Sequence, residues 1–466
     1  MNQYDVVIIG SGPGGYVAAL RAAQLGGKVA VVEGDRLGGT CLNRGCIPTK
    51  ALVRSATLFA EMEHASKFGV KVDEYSLDLP KVMEHKERTV DQLVGGVEKL
   101  LNSAGVDVYR GRGQLLSADK VSISHNGDTV EISARNIIVA TGAKPMLPPV
   151  DQASLEHTIS SDDALSLERV PETMLVIGGG VLGVEFACIW NAFGAKVDMV
   201  KRSPLILPAI DEEISRRLMS SLRRKGIKVN SGIYVKEIQD IGGKKRLVAD
   251  KDGSEISFEA ETILVAMGRI PNFGGLDLEG LGVEYDKNGI KTDEYMQTNI
   301  PGIYAIGDVV GRTYLASVAS AEGIVATEHM FGQPRSMDYS VVPGCVFSIP
   351  EVASVGLKES EVKAKGYDYK VSKFPFSANG RAVSMGETEG LVKLVAEKDT
   401  NRLLGMHIMG PHADDLIHEG AAALSMGGDA SKLAHLVHAH PTLAEAIMEA
   451  AHGLLGQPLH LARMKR

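Results

Sequence analysis

The chain has 466 residues, 44% of them hydrophobic and 23% charged, which supplies the cores of roughly three or four domains and excludes wholesale disorder. With 50 Lys and Arg against 58 Asp and Glu, the net charge is −8, which argues against nucleic acid or an anionic membrane surface as partner. Only four Cys are present, too few for a disulfide scaffold.

No apolar run reaches the ~18 residues of a membrane span, and no basic-then-apolar leader opens the chain. A cytoplasmic enzyme is the expectation, and a matrix protein stripped of its presequence looks the same. Residues 4–9 read as a strand. Gly10-Ser-Gly12-Pro-Gly-Gly15 follows, then a helix of small residues and a second apolar run, 28–33, that ends in Glu33. This is the dinucleotide fingerprint: the first glycine permits the turn, the second admits a pyrophosphate to the backbone, and the third lets helix and strand pack closely. A carboxylate at the end of the second strand can accept hydrogen bonds from an adenosine ribose.

Residues 35–110 read as largely helical and open on Cys41-Leu-Asn-Arg-Gly-Cys46. Such a pair in a cytosolic protein is more often redox-active or metal-binding than structural. A regular helix would hold the two sulfurs too far apart for a disulfide, so Gly45 is expected to distort the turn. Gly38-Gly39-Thr40 precedes the pair at the start of a helix, whose dipole favours a thiolate. A metal would need two further ligands, and Cys188 and Cys345 are isolated, so no metal site is expected.

Residues 111–140 read as short antiparallel strands with an Asn126-Gly127 hairpin turn, closing at Thr141-Gly142. Pro145, Pro148 and Pro149 mark a connection. The strand–glycine–helix–strand plan then repeats with Gly178, Gly180 and Gly183, but its second strand ends in Lys201-Arg202. Two cations there suit the 2′-phosphate of NADP, whereas Gly rather than Ala at 183 suits NAD. The balance leans to NADP(H), and the plain alternative is a pair of solvated loop charges. This second unit closes at Gly268. A strand at 302–306 ends in Gly307-Asp308 and is expected to return to the first sheet. Asp308 there contacts a bound cofactor or caps the following helix.

From about residue 340 the pattern is mixed strand and helix without a nucleotide signature. Near its end, His438-Ala-His440-Pro-Thr442-Leu-Ala-Glu445 holds the best acid–base candidate, an imidazole with a carboxylate in reach. Glu445 also completes a Thr442-x-x-Glu445 capping box. His435, His438, His440 and His452 fit no common metal spacing.

The segment from Gly38 to Lys50 is similar to the redox segment of the flavoprotein pyridine nucleotide-disulfide oxidoreductases, most of all the branch that oxidises dihydrolipoamide. Residues 298–308 resemble that family's second FAD motif. Residues 350–356 and 385–393 resemble its interface domain, and residues 438–443 its base-bearing segment. The likeness covers nearly the whole chain.

It implies an α/β fold of two doubly wound, Rossmann-like dinucleotide-binding domains plus a C-terminal α+β dimerisation domain. The expected bounds are 1–147 and 271–339 for the two parts of the FAD domain, 148–270 for the NAD(P) domain and 340–466 for dimerisation. FAD would be held by Gly10, Gly12, Gly15, Glu33, Gly39, Thr40, Thr141, Gly142, Gly307 and Asp308. NAD(P) would be held by Gly178, Gly180, Gly183, Lys201, Arg202 and Gly268. Cys41 and Cys46 would form a redox disulfide, with Cys41 exchanging with substrate and Cys46 next to the flavin. Lys50 and Glu185, which by residue type alone read as ordinary helix-surface charges, would pair near the flavin.

His440, supported by Glu445, would be the base, supplied by the partner of an obligate homodimer. The implied reaction is oxidation of protein-bound dihydrolipoamide with hydride transfer to NAD(P)+. The implied partner is the lipoyl domain of a 2-oxo acid dehydrogenase or glycine cleavage complex. Two alternatives stand beside it: an NADPH-dependent reductase of another disulfide or electrophile, and a non-enzymatic FAD-bearing scaffold or redox-sensing subunit. Lys201-Arg202 departs from the acid that NAD-using members carry.

Overall fold

The computed structural model describes residues 3–461; the outer ends of the first and last expected domains, 1–2 and 462–466, lie outside the described residues. Strand β1 (Gln3–Ile9) is fully buried at Val6, Val7 and Ile8, as a strand covered on both faces requires. Helix α1 (Pro13–Gln24) carries the chain to β2 (Val29–Glu33), which lies parallel to β1 with Val6 opposite Val29. Pro13 stands in the first turn of α1, where its missing N–H costs nothing.

On the other side of β1 lies the strand Asp128–Val139, and the strand Ile303–Ala305 returns to pair with it in parallel, Ile303 opposite Ile137. The strands Arg112–Ser117 and Lys120–His125 extend the sheet antiparallel. Asn126 and Gly127 both take positive φ, 51° and 91°, which is the turn that matches the twist of a two-residue hairpin.

In the chain, β2 is followed by α2 (Gly39–Arg44) and α3 (Cys46–Met62). Gly45 separates them at φ −137°, ψ −112°, a break in the helical path between the two cysteines. The second unit consists of β3 (Thr173–Ile177), α4 (Val181–Ala192) and β4 (Lys196–Lys201), with Lys228–Ser231 and Thr262–Val265 completing a four-stranded parallel sheet. A three-stranded antiparallel sheet of Tyr234–Asp240, Lys245–Lys251 and Ser254–Ala260 covers one face, packing Leu247 and Ala249 against Leu175 and Ile177. A ribbon of Ala143–Pro145 and Arg269–Pro271 joins the two units.

The C-terminal part is a five-stranded antiparallel sheet, whose core packs Val392, Leu394 and Ile408 against α5 (Glu445–Leu454) at Ile447 and Ala450. Among the described residues no helix is long and apolar enough to cross a membrane.

One buried charge cluster ties the second unit to this C-terminal sheet. Lys393, 1% exposed, lies 2.9 Å from the fully buried Asp211 and 2.7 Å from Glu359. Burial works against the Asp211 carboxylate, but the His407 ring and Lys393 together hold its pKa below the ordinary value. Lys393→Met leaves that carboxylate buried and unpaired and is expected to cost about 3–5 kcal/mol in urea unfolding at neutral pH. Because the folded Asp211 pKa is depressed, the contribution is present above the unfolded pKa and is lost as pH falls through the folded one. The gap between wild type and variant therefore narrows in acid.

Candidate active site

The two glycine turns are built alike. A Cβ on Gly10 would stand 2.3 Å from Ala140 O, and one on Gly178 would stand 2.1 Å from Ala266 O. The third glycines close the same way, Gly15 against Gly10 O at 2.0 Å and Gly183 against Gly178 O at 2.6 Å. The middle glycines differ in kind. Gly12 and Gly180 are the N-caps of α1 and α4, neither helix has a side-chain cap, and a Cβ at either meets no atom within 4 Å. Uncapped N–H groups facing open space at a helix start suit a pyrophosphate.

The redox segment is docked on the first of these turns. Gly38 N donates to Ser11 O at 3.1 Å, and a Cβ on Gly39 would lie 2.7 Å from Gly12 Cα. Thr40 follows at the head of α2, and its carbonyl lies 3.0 Å from where a Cβ on Gly45 would stand. Glu33 accepts from Ser11 N at 2.9 Å and from Asp35 N at 2.8 Å, so the same carboxylate braces the turn. Thr141 and Gly142 are tied to Asn272, with Thr141 Oγ1 donating to Asn272 O at 2.7 Å and Asn272 N donating to Gly142 O at 2.9 Å. Gly268 accepts from Met146 N at 2.9 Å.

Gly307 N donates to the buried Glu322 at 2.6 Å, and Tyr339 holds the other carboxylate oxygen at 2.6 Å. The Asp308 carboxyl beside it has no hydrogen-bond partner among the described residues; burial pushes it up to about 6 against the pull of Arg269. An unpaired carboxyl next to the pyrophosphate turn fits the hydroxyls of a dinucleotide.

Cys41 and Cys46 are free thiols, hydrogen-bonded to each other across the Gly45 break. Cys46 is the first residue of α3 and is the sulfur whose surroundings favour the thiolate. Donation from the Cys41 thiol and the nearby Lys50 cation pull its pKa down to about 7 against burial, while the Cys41 thiol is driven up. Lys50 lies on the next turn of α3. Its Nζ is 3.1 and 3.0 Å from the two oxygens of the buried Glu185 in α4 and 4.4 Å from the Phe347 ring centre. Phe347 N donates to Glu185 at 2.9 Å. Phe347, Glu322 and Tyr339 were not foreseen in the sequence, since each acts through a contact with a distant segment.

His440 Nδ1 lies 2.9 Å from Glu445 Oε1, and Thr442 N donates to Glu445 Oε2 at 2.8 Å. The carboxylate thus orients the ring and takes the Thr442 N–H in the turn that leads into α5, whose N-cap is Ala444. The Thr442 hydroxyl turns to Ala439 O, so only half of a capping box forms. Burial works against the Glu445 charge, but Thr442 and His440 overcome it and hold the pKa below the ordinary carboxylate value. The ring is 79% exposed, and among the described residues no hydrogen bond or ion pair brings it to the cysteines of the same chain.

The two cations at the end of β4 part company. Lys201 is buried, its ammonium donates to Ser203 O, and burial lowers its pKa to about 8. It is therefore not a solvated loop charge. Arg202 is exposed.

Two neighbouring cysteines beside one glycine turn, on a helix whose Lys50 is ion-paired to Glu185 of the helix that begins at the second turn, mark the class of disulfide oxidoreductases. Residues 4–323 match the pyridine nucleotide-disulphide oxidoreductase family and residues 342–451 its dimerisation domain. Dihydrolipoyl dehydrogenase of Bacillus subtilis is 42% identical, with 98% of this chain and 99% of that protein covered. The mitochondrial dihydrolipoyl dehydrogenase 2 of Arabidopsis thaliana is 42% identical over 99% of this chain and 92% of its own. A copper(II) complex of the HOCl-induced flavoprotein disulfide reductase RclA of Escherichia coli superposes with a TM-score of 0.87 at 26% identity, over 97% and 99% of the two chains. The chain belongs to the pyridine nucleotide-disulphide oxidoreductase family. It is an oxidoreductase whose cofactors are FAD and NAD(P), and it carries the family's dimerisation domain.

Lys50→Met removes the cation nearest the Cys46 thiolate and leaves the Glu185 charge facing it. Both changes raise the thiol pKa. The midpoint of the pH profile for iodoacetamide alkylation of Cys46 is expected to move up by roughly one pH unit or more. An unmoved midpoint would assign the low pKa to Cys41 and the helix start alone.

Proposed function

We propose that the chain is a dihydrolipoamide dehydrogenase, which oxidises the dithiol of a protein-bound lipoyl group to its cyclic disulfide and delivers two electrons to NAD(P)+. The observation that carries this reading is the placement of the pair: Cys41 and Cys46 meet across the Gly45 break, Cys46 heads α3, and Lys50 one turn on is clamped by the buried Glu185. The names of the full-length relatives support the choice of substrate. Bound FAD supplies the two-electron acceptor between the thiols and the nicotinamide, which carries off hydride.

Catalysis starts from the Cys41–Cys46 disulfide. His440, contributed by a second copy of the chain, keeps Nδ1 committed to Glu445 and takes the substrate thiol proton at Nε2. The substrate thiolate attacks Cys41, the Cys41–Cys46 bond breaks, and Cys46 leaves as thiolate, the direction favoured by its lower pKa. The second substrate sulfur, deprotonated in turn, attacks the mixed disulfide and closes the ring. Cys41 leaves and takes up the proton held by His440, and the other proton goes to solvent. The substrate has lost two electrons and the protein pair has gained them.

The arm would come from the lipoyl domain of a 2-oxo acid dehydrogenase or glycine cleavage complex. A reducing compartment, cytoplasm or matrix, suits a pair that must cycle.

Cys46→Ser is expected to retain FAD, read as flavin absorbance per protein, while abolishing lipoamide turnover; wild-type turnover in that variant overturns the assignment. His440→Gln removes the base but keeps the Glu445–Thr442 contact. Its kcat is expected to fall by roughly 10²–10⁴ with flavin content unchanged. A loss of thermal stability with kcat preserved would leave Glu445 and His440 a purely structural role.

A further inference from the structure

The segment that bears His440 has no regular structure of its own. Between the helix Ala430–His435 and α5, residues 436–444 form neither helix nor strand, and Val437 is 92% exposed. A loop of this kind holds an imidazole ready for proton transfer only if other parts of the chain tie it down. Two side chains do so. On one side His438 turns inward, with Nε2 3.0 Å from Glu419 Oε1 on the helix Ala413–Ser425. On the other, Asn379 Nδ2 donates to Thr442 O at 3.0 Å from 63 residues away. His440 stands midway between these two posts.

Asn379 is 3% exposed, and its polar groups are matched one by one. Its N–H donates to Phe376 O at 2.9 Å, and its C=O accepts from Val383 N at 3.0 Å. As N-cap of the helix Gly380–Met385, its Oδ1 accepts from Ala382 N at 2.9 Å. Phe376 and Ala382 are fully buried in the core that also takes in Leu443 and Ile447, so the post is rigid. Capping needs only the side-chain oxygen, which Ser or Asp would supply equally well. What the amide adds is the donor to Thr442 O. The Thr442 residue is thereby held at both ends, its N–H by Glu445 and its C=O by Asn379. Glu445 is also the group that holds His440 Nδ1, so a shift of Thr442 moves the ring.

We propose that Asn379 is a positioning residue for the reaction: by holding the Thr442 carbonyl it sets where the His440 imidazole stands. The inference rests on His440 being the base of the proposed enzyme, and it adds the residue that places that base.

Asn379→Ser keeps an oxygen to cap Ala382 N but is too short to reach Thr442 O. In the FAD-loaded protein its kcat/KM for dihydrolipoamide is expected to fall roughly 10- to 100-fold, the cost of misplacing a reacting group by about 1 Å. Ferricyanide reduction by reduced pyridine nucleotide, which draws electrons from the flavin without the base, is expected to keep the wild-type rate. Placed on His440→Gln, Asn379→Ser is expected to cost less than about twofold more, because no base is left to position. Asn379→Ala loses the cap as well and is expected to lower the thermal midpoint further at the same kcat/KM as Asn379→Ser. Wild-type kcat/KM in Asn379→Ser, a ferricyanide rate that falls in step with it, or the full loss repeated in the double variant overturns the proposal. Wild-type turnover in His440→Gln overturns the assignment of the base itself, and the proposal with it; a slow His440→Gln beside an unimpaired Asn379→Ser overturns the positioning role alone.

Discussion

Keeping one sulfur charged in a largely desolvated place is the constraint on which the rest of the molecule depends. The chain holds its own control experiment. Burial pushes the thiols of Cys188 and Cys345 up to about 11, yet Cys46 is pulled down to about 7. The difference comes from three arrangements: the Cys41 thiol donates across the Gly45 break, Cys46 heads α3, and Lys50 stands one turn further on. Lys50 in turn needs a counter-charge, and Glu185 needs the Phe347 N–H. A single thiolate thereby engages the redox helix, the helix that begins at the second glycine turn, and the C-terminal sheet. A change of spacing between any two of these parts is felt at the sulfur.

The duplicated glycine turn shows how much of this is backbone geometry. At each copy the first and third glycines are required by carbonyl oxygens that a side chain would strike, whereas a Cβ on the middle glycine would meet nothing within 4 Å. The copies differ at the residue that closes the second strand, Glu33 in the first and Lys201 in the second. The first is pinned by Glu33 and backed by the Cys segment through Gly39. The second is propped from below by a lysine stem and flanked by a free guanidinium.

What the sequence made legible follows the range of each interaction. The glycine turns, the Asn126-Gly127 hairpin, the break at Gly45 and the double duty of Glu445 are all decided within a few residues. The return of the strand at Ile303–Ala305 could be inferred because its apolar run ends in Gly307-Asp308. The antiparallel sheet over the second unit was not seen; its strands alternate only weakly, with half-buried and exposed residues at most positions. The Lys50–Glu185 pair followed from the resemblance, but the Phe347 N–H that completes it was out of reach, lying 162 residues from Glu185. Lys201 is a different case, since the signal was present. Strict alternation from Val197 and Met199 sends position 201 inward, and reading the two cations as one motif obscured it.

The exposed imidazole completes the argument. Among the described residues no hydrogen bond or ion pair joins His440 to the cysteines of its own chain; under the proposed function the two halves of the site come from two copies. Each half is nevertheless finished before they meet. Glu445 is anchored by Thr442 N and by the buried face of α5, and it fixes the His440 ring although that ring is 79% exposed. On the other side, Lys50 and Cys41 set the charge of Cys46 without help from outside the chain. Association therefore has little side-chain order left to impose at the site, which keeps its entropic cost low.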